Sequence, residues 1–254
     1  MKRRFRYSIL RAVSKKYDLK YRASNEAAQW EGEGYNYLDL WRHHSLFIKE
    51  TNSVYIAISK SANSSVRRAL SDSTFSEAFD RKRNKLYGVY QLHAVGKVLS
   101  DLATDKIPVF TVVRNPVTRF WSAYQDKIVD HPKYGLAEEV ARFHGKSAEQ
   151  SDHISAEMVL DYMEQTPVHR IEEHLRPQWA CCGHGRISFQ MIAKVEKLRS
   201  DLESAAKQGL FPRDALARLK HSNPSNKNTG AATQKQLRSR IEAYYAKDYQ
   251  AFGY

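Results

Sequence analysis

Residues 107–129 read IPVFTVVRNPVTRFWSAYQDKIV, and few folds accommodate such a stretch. Val109 to Val113 form a continuous, essentially apolar run, the pattern of a strand buried on both faces. Asn115 then suits a helix N-cap and Pro116 the first helical position. Val117, Trp121, Tyr124 and Ile128 recur at i, i+4, i+7 and i+11, which draws one apolar face along a helix. Residues 54–70, VYIAISKSANSSVRRAL, repeat the arrangement: an apolar strand over 54–58, a Ser/Asn turn, then a helix carrying Val66, Ala69 and Leu70. RISFQMIAKVEKLRSDLESAAKQ reads as a third strand leading into a helix. Strand-helix alternation of this kind predicts an α/β fold, a P-loop-like parallel sheet flanked by helices.

The remaining segments fit around that frame. A helix is expected from Ser155 through Tyr162 and Met163. A last helix is expected around 232–247, with Leu237, Ile241, Tyr244 and Tyr245 on one face. FSEAFDRKRNKLYG is polar and loop-like, and VYQLHAVGKVLSDL holds a short apolar segment before a helix. No Gly/Pro/Ser-rich linker and no internal repeat divides the 254 residues, enough for a substantial core. The reading is a basic and aromatic arm over residues 1–45 and a single domain over 46–254.

Charge narrows the partners. Lys and Arg number 41 against 28 Asp and Glu, a formal net charge of +13. That excess points to an anionic partner: nucleotide, polyanionic sugar, nucleic acid or acidic membrane surface. No run of about 18 apolar residues occurs, so no transmembrane segment is expected. The opening MKRRFRYSILRAVSKKYDLKYR is basic but lacks the apolar core and cleavage site of a signal peptide. It reads as a solvated arm, with peripheral membrane contact as the other option. The two cysteines are adjacent, Cys181 and Cys182, and adjacent cysteines rarely bridge, which fits a reducing cytoplasm.

Ligands of parallel α/β sheets gather at the carboxyl ends of the strands. Two of the expected strands end in cations or hydroxyls and run straight into helix starts, where free N–H groups favour anions. At the first, Lys60 adds a point charge and Asn63, Ser64 and Ser65 offer hydrogen-bond donors. The familiar phosphate loop, G-x-x-x-x-G-K-[ST], sets glycines before its lysine; here there is none. A lysine with hydroxyls is expected to do the same work on a less contorted loop. At the second, Arg114 sits at the strand end, able to grip a phosphate or sulfate bidentately, and Ser122 lies two helical turns on. Two separated anion sites imply a ligand with phosphate groups at both ends of a nucleoside.

SKSANSSVRRAL and VVRNPVTRFWSAYQDKI together resemble the two cofactor motifs of sulfotransferases that use 3′-phosphoadenosine-5′-phosphosulfate (PAPS). The likeness is greatest to the carbohydrate sulfotransferases of the chondroitin and HNK-1 type, and more distant to the heparan 2-O type. In that comparison Lys60 stands at the lysine of a P-K-x-x-x-T-S loop and Ser64-Ser65 at its hydroxyl pair. Ser59 replaces the usual proline and Ala62 a frequent glycine. Arg114 and Ser122 match the residues that hold the 3′-phosphate, and Asn115 replaces an aspartate or histidine. EEHLRPQWACC resembles a later H-W-R-P-Q…C segment, with Leu175 in place of tryptophan. HSNPSNKN and YYAKDYQAFGY resemble the loop and ending that follow, so the likeness covers about residues 52–254.

The resemblance implies sulfuryl transfer from PAPS to a carbohydrate hydroxyl. Lys60 is expected to stabilise the departing 5′-phosphate, with Ser61, Ala62, Asn63, Ser64 and Ser65 lining its loop. Arg114 and Ser122 are expected at the 3′-phosphate. The acceptor hydroxyl needs a general base, for which His93, 21 residues before Arg114, is the first choice by its spacing in heparan 2-O and cytosolic sulfotransferases. His174 is the fallback base, more readily placed in an acceptor groove with Arg176 and Gln178. The acceptor class extends to an anionic polysaccharide or glycolipid, with no specific nucleic acid. Cys181, Cys182 and His184 do not complete a four-ligand zinc set, and no metal is expected. Two rival readings are a non-enzymatic polyanion or nucleic-acid module and a nucleotide-dependent kinase. The second lacks the glycines of a phosphate loop, and the first lacks any nucleic-acid-binding motif.

Overall fold

The computed structural model describes residues 45–48, 50–70, 106–132, 135–147, 153–219 and 231–254, with short paired strands at 31–32, 35–36, 79–80, 85–86 and 90–91. The main sheet contains β1 (Ser45–Ile48), β2 (Ser53–Ile56), β3 (Tyr90–Gln91), β4 (Val109–Val113) and β5 (Met191–Lys194), in the order β3-β1-β2-β4-β5. β4 lies between β2 and β5 and is parallel to both. All five of its residues are buried, as an apolar run with a strand on each side requires. Side chains alternate across it. Val109 and Val113 join Val54, Ile56, Ala180, Cys182 and Phe252 on one face. Phe110 and Val112 join Tyr55, Val66, Ala69, Leu202 and Phe211 on the other. The one polar residue, Thr111, donates its hydroxyl to the Ile56 carbonyl at 2.7 Å.

The sheet is parallel in this core, and an antiparallel edge extends it. β1 pairs antiparallel with β2, from Ser45 opposite Ile56 to Ile48 opposite Ser53. β3 pairs antiparallel with β1. The hairpin between β1 and β2 turns through Asn52 at φ 48°, a left-handed conformation that asparagine tolerates better than most residues. Two further two-residue ladders join Glu31–Gly32 to Tyr35–Asn36 and Phe79–Asp80 to Lys85–Leu86, the second within a segment that reads as loop.

Around the sheet lie α1 (Asn63–Leu70), α2 (Pro116–Tyr124), α3 (Leu136–Phe143), α4 (Ala156–Gln165), α5 (Gln178–Cys182), α6 (Leu198–Lys207), α7 (Arg213–Arg218), α8 (Ala231–Tyr244) and α9 (Ala246–Phe252). Asn115 is the expected cap, its Oδ1 accepting from the N–H groups of Val117 and Thr118, and Ser155, expected as the first residue of its helix, is that helix's cap, its Oγ accepting from Met158. Trp121 and Tyr124 of α2, with Ile128 of the π-helix that continues it, pack against α3, α4 and α8, in a cluster with Val159, Leu160, Leu237 and Ile241. Burial of each such large side chain contributes about 1.5–3 kcal/mol relative to exposure. Past Tyr124 the helix widens into a π-helix over Gln125–Asp130. The expected last helix is two, α8 and α9, divided at Tyr245. No helix among the described residues is long and apolar enough to cross a membrane. At the carboxyl ends of the neighbouring parallel strands β2 and β4, the chain turns into α1 and α2, which brings both expected anion sites to one edge.

Candidate active site

The first junction runs from Ile58, fully buried, through Ser59 and Lys60 to the start of α1. Lys60 and Ala62 both adopt left-handed backbone, φ 66° and 56°. The loop is therefore as contorted as a glycine loop, contrary to the expectation from its composition. For residues with a Cβ this conformation costs about 1–2 kcal/mol each. The N–H groups of Ser65 and Val66 turn back to the Ala62 carbonyl, at 2.9 and 3.0 Å. Those of Asn63 and Ser64, in the first turn, have no intrahelical acceptor by the geometry of a helix end. Ser64 is exposed there, while Ser65 is buried. Ser61 turns inward, fully buried, with its hydroxyl 3.0 Å from Gln178 Oε1, and Asn63 Oδ1 accepts from Arg67 Nε at 2.7 Å.

Lys60 Nζ lies 3.1 Å from Asp126 Oδ2, which also meets Lys127 Nζ at 3.4 Å. Asp126 Oδ1 is 3.1 Å from His131 Nδ1. Burial lowers the Lys60 pKa, opposed by Asp126 and reinforced by the charges of Lys127 and Arg114. On Asp126 burial acts upward, but Lys60 and Lys127 outweigh it and hold the carboxyl below its usual range.

The second junction begins at Arg114, whose Nε donates to Thr118 Oγ1 at 3.1 Å and whose Nη1 reaches the Lys60 carbonyl at 3.4 Å. Thr118, Ser122 and Asp126 follow Arg114 at four-residue intervals, the spacing of neighbours on one helical face. The two expected anion sites are thus joined at the Lys60 main chain, which Arg114 touches, while the Lys60 ammonium reaches the far end of the row at Asp126. Burial lowers the Arg114 pKa, offset by the nearby Glu196, and the guanidinium stays protonated. Glu196 Oε1 also takes the Asn115 N–H at 2.8 Å, and its Oε2 takes the Tyr254 hydroxyl at 3.0 Å.

Two residues hold the junctions together, and sequence reasoning misread one and passed over the other. Gln178 was expected in an acceptor groove. It is fully buried: Oε1 accepts from Arg114 N at 2.8 Å as well as from Ser61, and Nε2 donates to the Arg114 carbonyl at 2.8 Å. Its place is beneath both loops as a brace. Arg119, the second arginine of VVRNPVTRFWSAY, received no role from the sequence. It is also fully buried, with Nε on the Ser59 carbonyl (3.0 Å), Nη1 on that of Arg176 (2.9 Å) and Nη2 on that of Glu173 (3.1 Å). The pattern gave no signal for it: position 119 lies on the side of the helix opposite Val117, Trp121, Tyr124 and Ile128, next to the exposed Thr118, and arginine is seldom fully buried.

The 172–178 segment supplies the rest of the wall. Arg176 is spent on its own loop, donating to the carbonyls of Ile171 and His169 at 3.0 and 3.2 Å. His174 Nδ1 lies 2.6 Å from Glu172 Oε1, and Ser59 Oγ donates to Glu173 Oε1 at 3.3 Å. Among the described residues Glu172, Glu173 and His174 form the one grouping of three metal-ligand types. Cys181 and Cys182 are free and buried, and His184 packs edge-on to Phe252. Asp248, fully buried, accepts the N–H groups of Gln178 and Trp179 at the start of α5. His93 lies outside the described residues.

No curated protein matches the chain, and no solved structure does. A model described as the sulfotransferase family matches residues 43–254, a span that takes in both junctions, the bracing segment and the final helices. On the strength of that match the chain belongs to the sulfotransferase family, and its chemistry is sulfuryl transfer.

Proposed function

We propose that the chain moves the sulfuryl group of PAPS to a hydroxyl of a carbohydrate acceptor. The observation that carries the donor assignment is the adjacency of two cationic strand ends, with Arg114 Nη1 on the Lys60 carbonyl and Gln178 joined to both loops. The residue chemistry fits a donor anionic at both ends of its nucleoside. Lys60 and the first turn of α1 suit the 5′-phosphosulfate, and Arg114 with Ser122 suits the 3′-phosphate. Asn63 and Ser64 offer backbone N–H groups to phosphate oxygens, while Ser61 serves below the loop through its side chain. Lys60, partly desolvated, supplies positive charge where the leaving phosphate gathers negative charge. Lysine and arginine meet that need without a divalent ion. The carbohydrate acceptor rests on the likeness to the chondroitin and HNK-1 type, and the net charge of +13 suits an anionic glycan.

The test is calorimetric binding of 3′-phosphoadenosine-5′-phosphate, with 5′-AMP and ATP as comparators, to wild type and Arg114→Ala. A preference for the bisphosphate, weakened at least tenfold (about 1.4 kcal/mol) by the substitution, is expected. Equal binding of AMP and ATP, or no binding, sinks the donor assignment.

A further inference from the structure

The geometry points to Glu172 and His174 as the proton-accepting pair of this site, with His174 as the general base and Glu172 as its positioning residue; this rests on the donor site proposed above. A carboxylate can only accept, so the 2.6 Å contact to Glu172 Oε1 sets the proton of the neutral imidazole on Nδ1. The other ring nitrogen, Nε2, is left with its lone pair. The second oxygen of Glu172 takes the His174 backbone N–H at 2.7 Å, so one carboxylate orients both the ring and the main chain that bears it. His174 is not sealed in: its side chain keeps 19% of its exposure.

The pair is tied to the donor loop by two independent contacts. Glu173 Oε1 is 3.3 Å from Ser59 Oγ and 3.9 Å from His174 Nδ1, so one carboxylate touches both the residue before Lys60 and the imidazole. Beneath it the Arg119 guanidinium binds the carbonyls of Ser59 and Glu173 together. The imidazole is therefore held at the edge of the loop that ends in Lys60. The charged groups against the imidazole are Glu172 and Glu173 on its own loop. Those two in turn meet Arg119 of α2 at the Glu173 carbonyl, Arg67 of α1, whose charge acts on Glu173, and Tyr162 of α4, which lies near Glu172.

In the step assigned to it, the acceptor oxygen forms a bond to sulfur with its own electron pair. The sulfur–oxygen bond to the 5′-phosphate breaks, and its electron pair leaves on the phosphate beside Lys60. The hydroxyl proton passes to His174 Nε2. The products are a sulfate ester, the bisphosphate and an imidazolium that returns its proton to water. Where water itself is the acceptor, the same step releases sulfate.

The experiment follows PAPS hydrolysis to sulfate and bisphosphate across pH for wild type, His174→Asn and Glu172→Gln, with bisphosphate calorimetry on the same proteins. Nitrogen-15 NMR of the histidine rings gives a readout apart from turnover. His174 is expected as the Nδ1-protonated tautomer. His174→Asn should bind the bisphosphate within twofold of wild type, lose at least 100-fold in kcat, and lose the acid limb of the profile. Glu172→Gln removes the carboxylate that fixes the ring and should lower kcat with bisphosphate binding kept, and the ring should no longer be held as the Nδ1-protonated tautomer. An Nε2-protonated tautomer overturns the pairing. Equal bisphosphate binding with rate and limb retained in His174→Asn overturns the base, and the donor site stands. A wild type with no turnover or no acid limb also counts against the base. Weakened bisphosphate binding in His174→Asn marks a structural role instead. Failure of the wild type to bind the bisphosphate removes the donor site, and the base with it.

Discussion

Removing the Arg119 guanidinium should destabilise the whole chain and loosen both sides of the active-site edge. Its three contacts are to carbonyls of Ser59, Glu173 and Arg176, in a residue with no exposed surface. Hydrogen bonds from a charged donor contribute about 1.5–3 kcal/mol each, but three on one group do not simply add. Arg119→Met leaves those carbonyls short of donors and places an apolar stem where no water enters. It also strips a nearby positive charge from Asp248. Burial already pushes the Asp248 carboxyl up, and Arg119 is among the groups that pull it back. A carboxyl whose folded pKa rises above its unfolded value costs stability as pH climbs through that interval, so the deficit should shrink on acidification.

A buried acceptor left without its donor costs about 1–3 kcal/mol, and for three such carbonyls, summed less than additively, a loss of about 3–5 kcal/mol is expected near pH 7. In a chain of this size each kcal/mol lowers Tm by about 2–4 °C, so a fall of about 6–20 °C follows. Arg119→Lys keeps the charge on a single ammonium that does not span three carbonyls, and should fall between Met and wild type. Urea unfolding of the full chain, read by tryptophan fluorescence at pH 5 and pH 8, measures it. If Arg119→Met stays within about 0.5 kcal/mol of wild type, the range of ordinary surface substitutions, the keystone reasoning is refuted.

Ala62→Gly should stabilise the chain by about 0.5–1 kcal/mol, because it relieves the left-handed Cβ strain at the cost of greater chain entropy; a lower urea midpoint than wild type contradicts this. Burial pushes the Cys181 thiol up to about 11 and raises Cys182 as well, so neither should react with a disulfide reagent at pH 8 until urea unfolds the protein. Fast labelling of native protein would show the thiols open to solvent. Asp126 has a depressed folded pKa, so its contribution is present above the unfolded carboxylate value and is lost as pH falls through the folded one. Asp126→Asn should accordingly show a flatter stability profile below pH 5, and a profile identical to wild type rules the Lys60 contact out as the source.

Much of the frame is legible because its signals are local. The run of Val109–Val113, the cap at Asn115, the proline at 116 and the two-turn spacing of Arg114 and Ser122 each lie within a few turns of chain. Local sterics and hydrogen bonding produce them whatever the rest of the chain does. β1 escaped notice because SLFI is short and marks no boundary; only its antiparallel pairing with β2 makes it a strand. The ladder at 79–80 and 85–86 escaped for the same reason.

From its sequence alone this protein shows an α/β fold, two cationic junctions at strand ends, and their order. Tertiary structure alone decides which side chains turn inward. Gln178, Arg119 and the Glu172–His174 pair have ordinary surface chemistry as residues, and one reads as naturally in an acceptor groove as under a loop. Their roles come from contacts such as Ser61 with Gln178 and Ser59 with Glu173, made across 117 and 114 residues of chain. Such contacts exist only after the sheet has brought the ends of β2 and β4 against the 172–178 segment. No local pattern encodes them, because the desolvation that makes each hydrogen bond count arises from the packed whole.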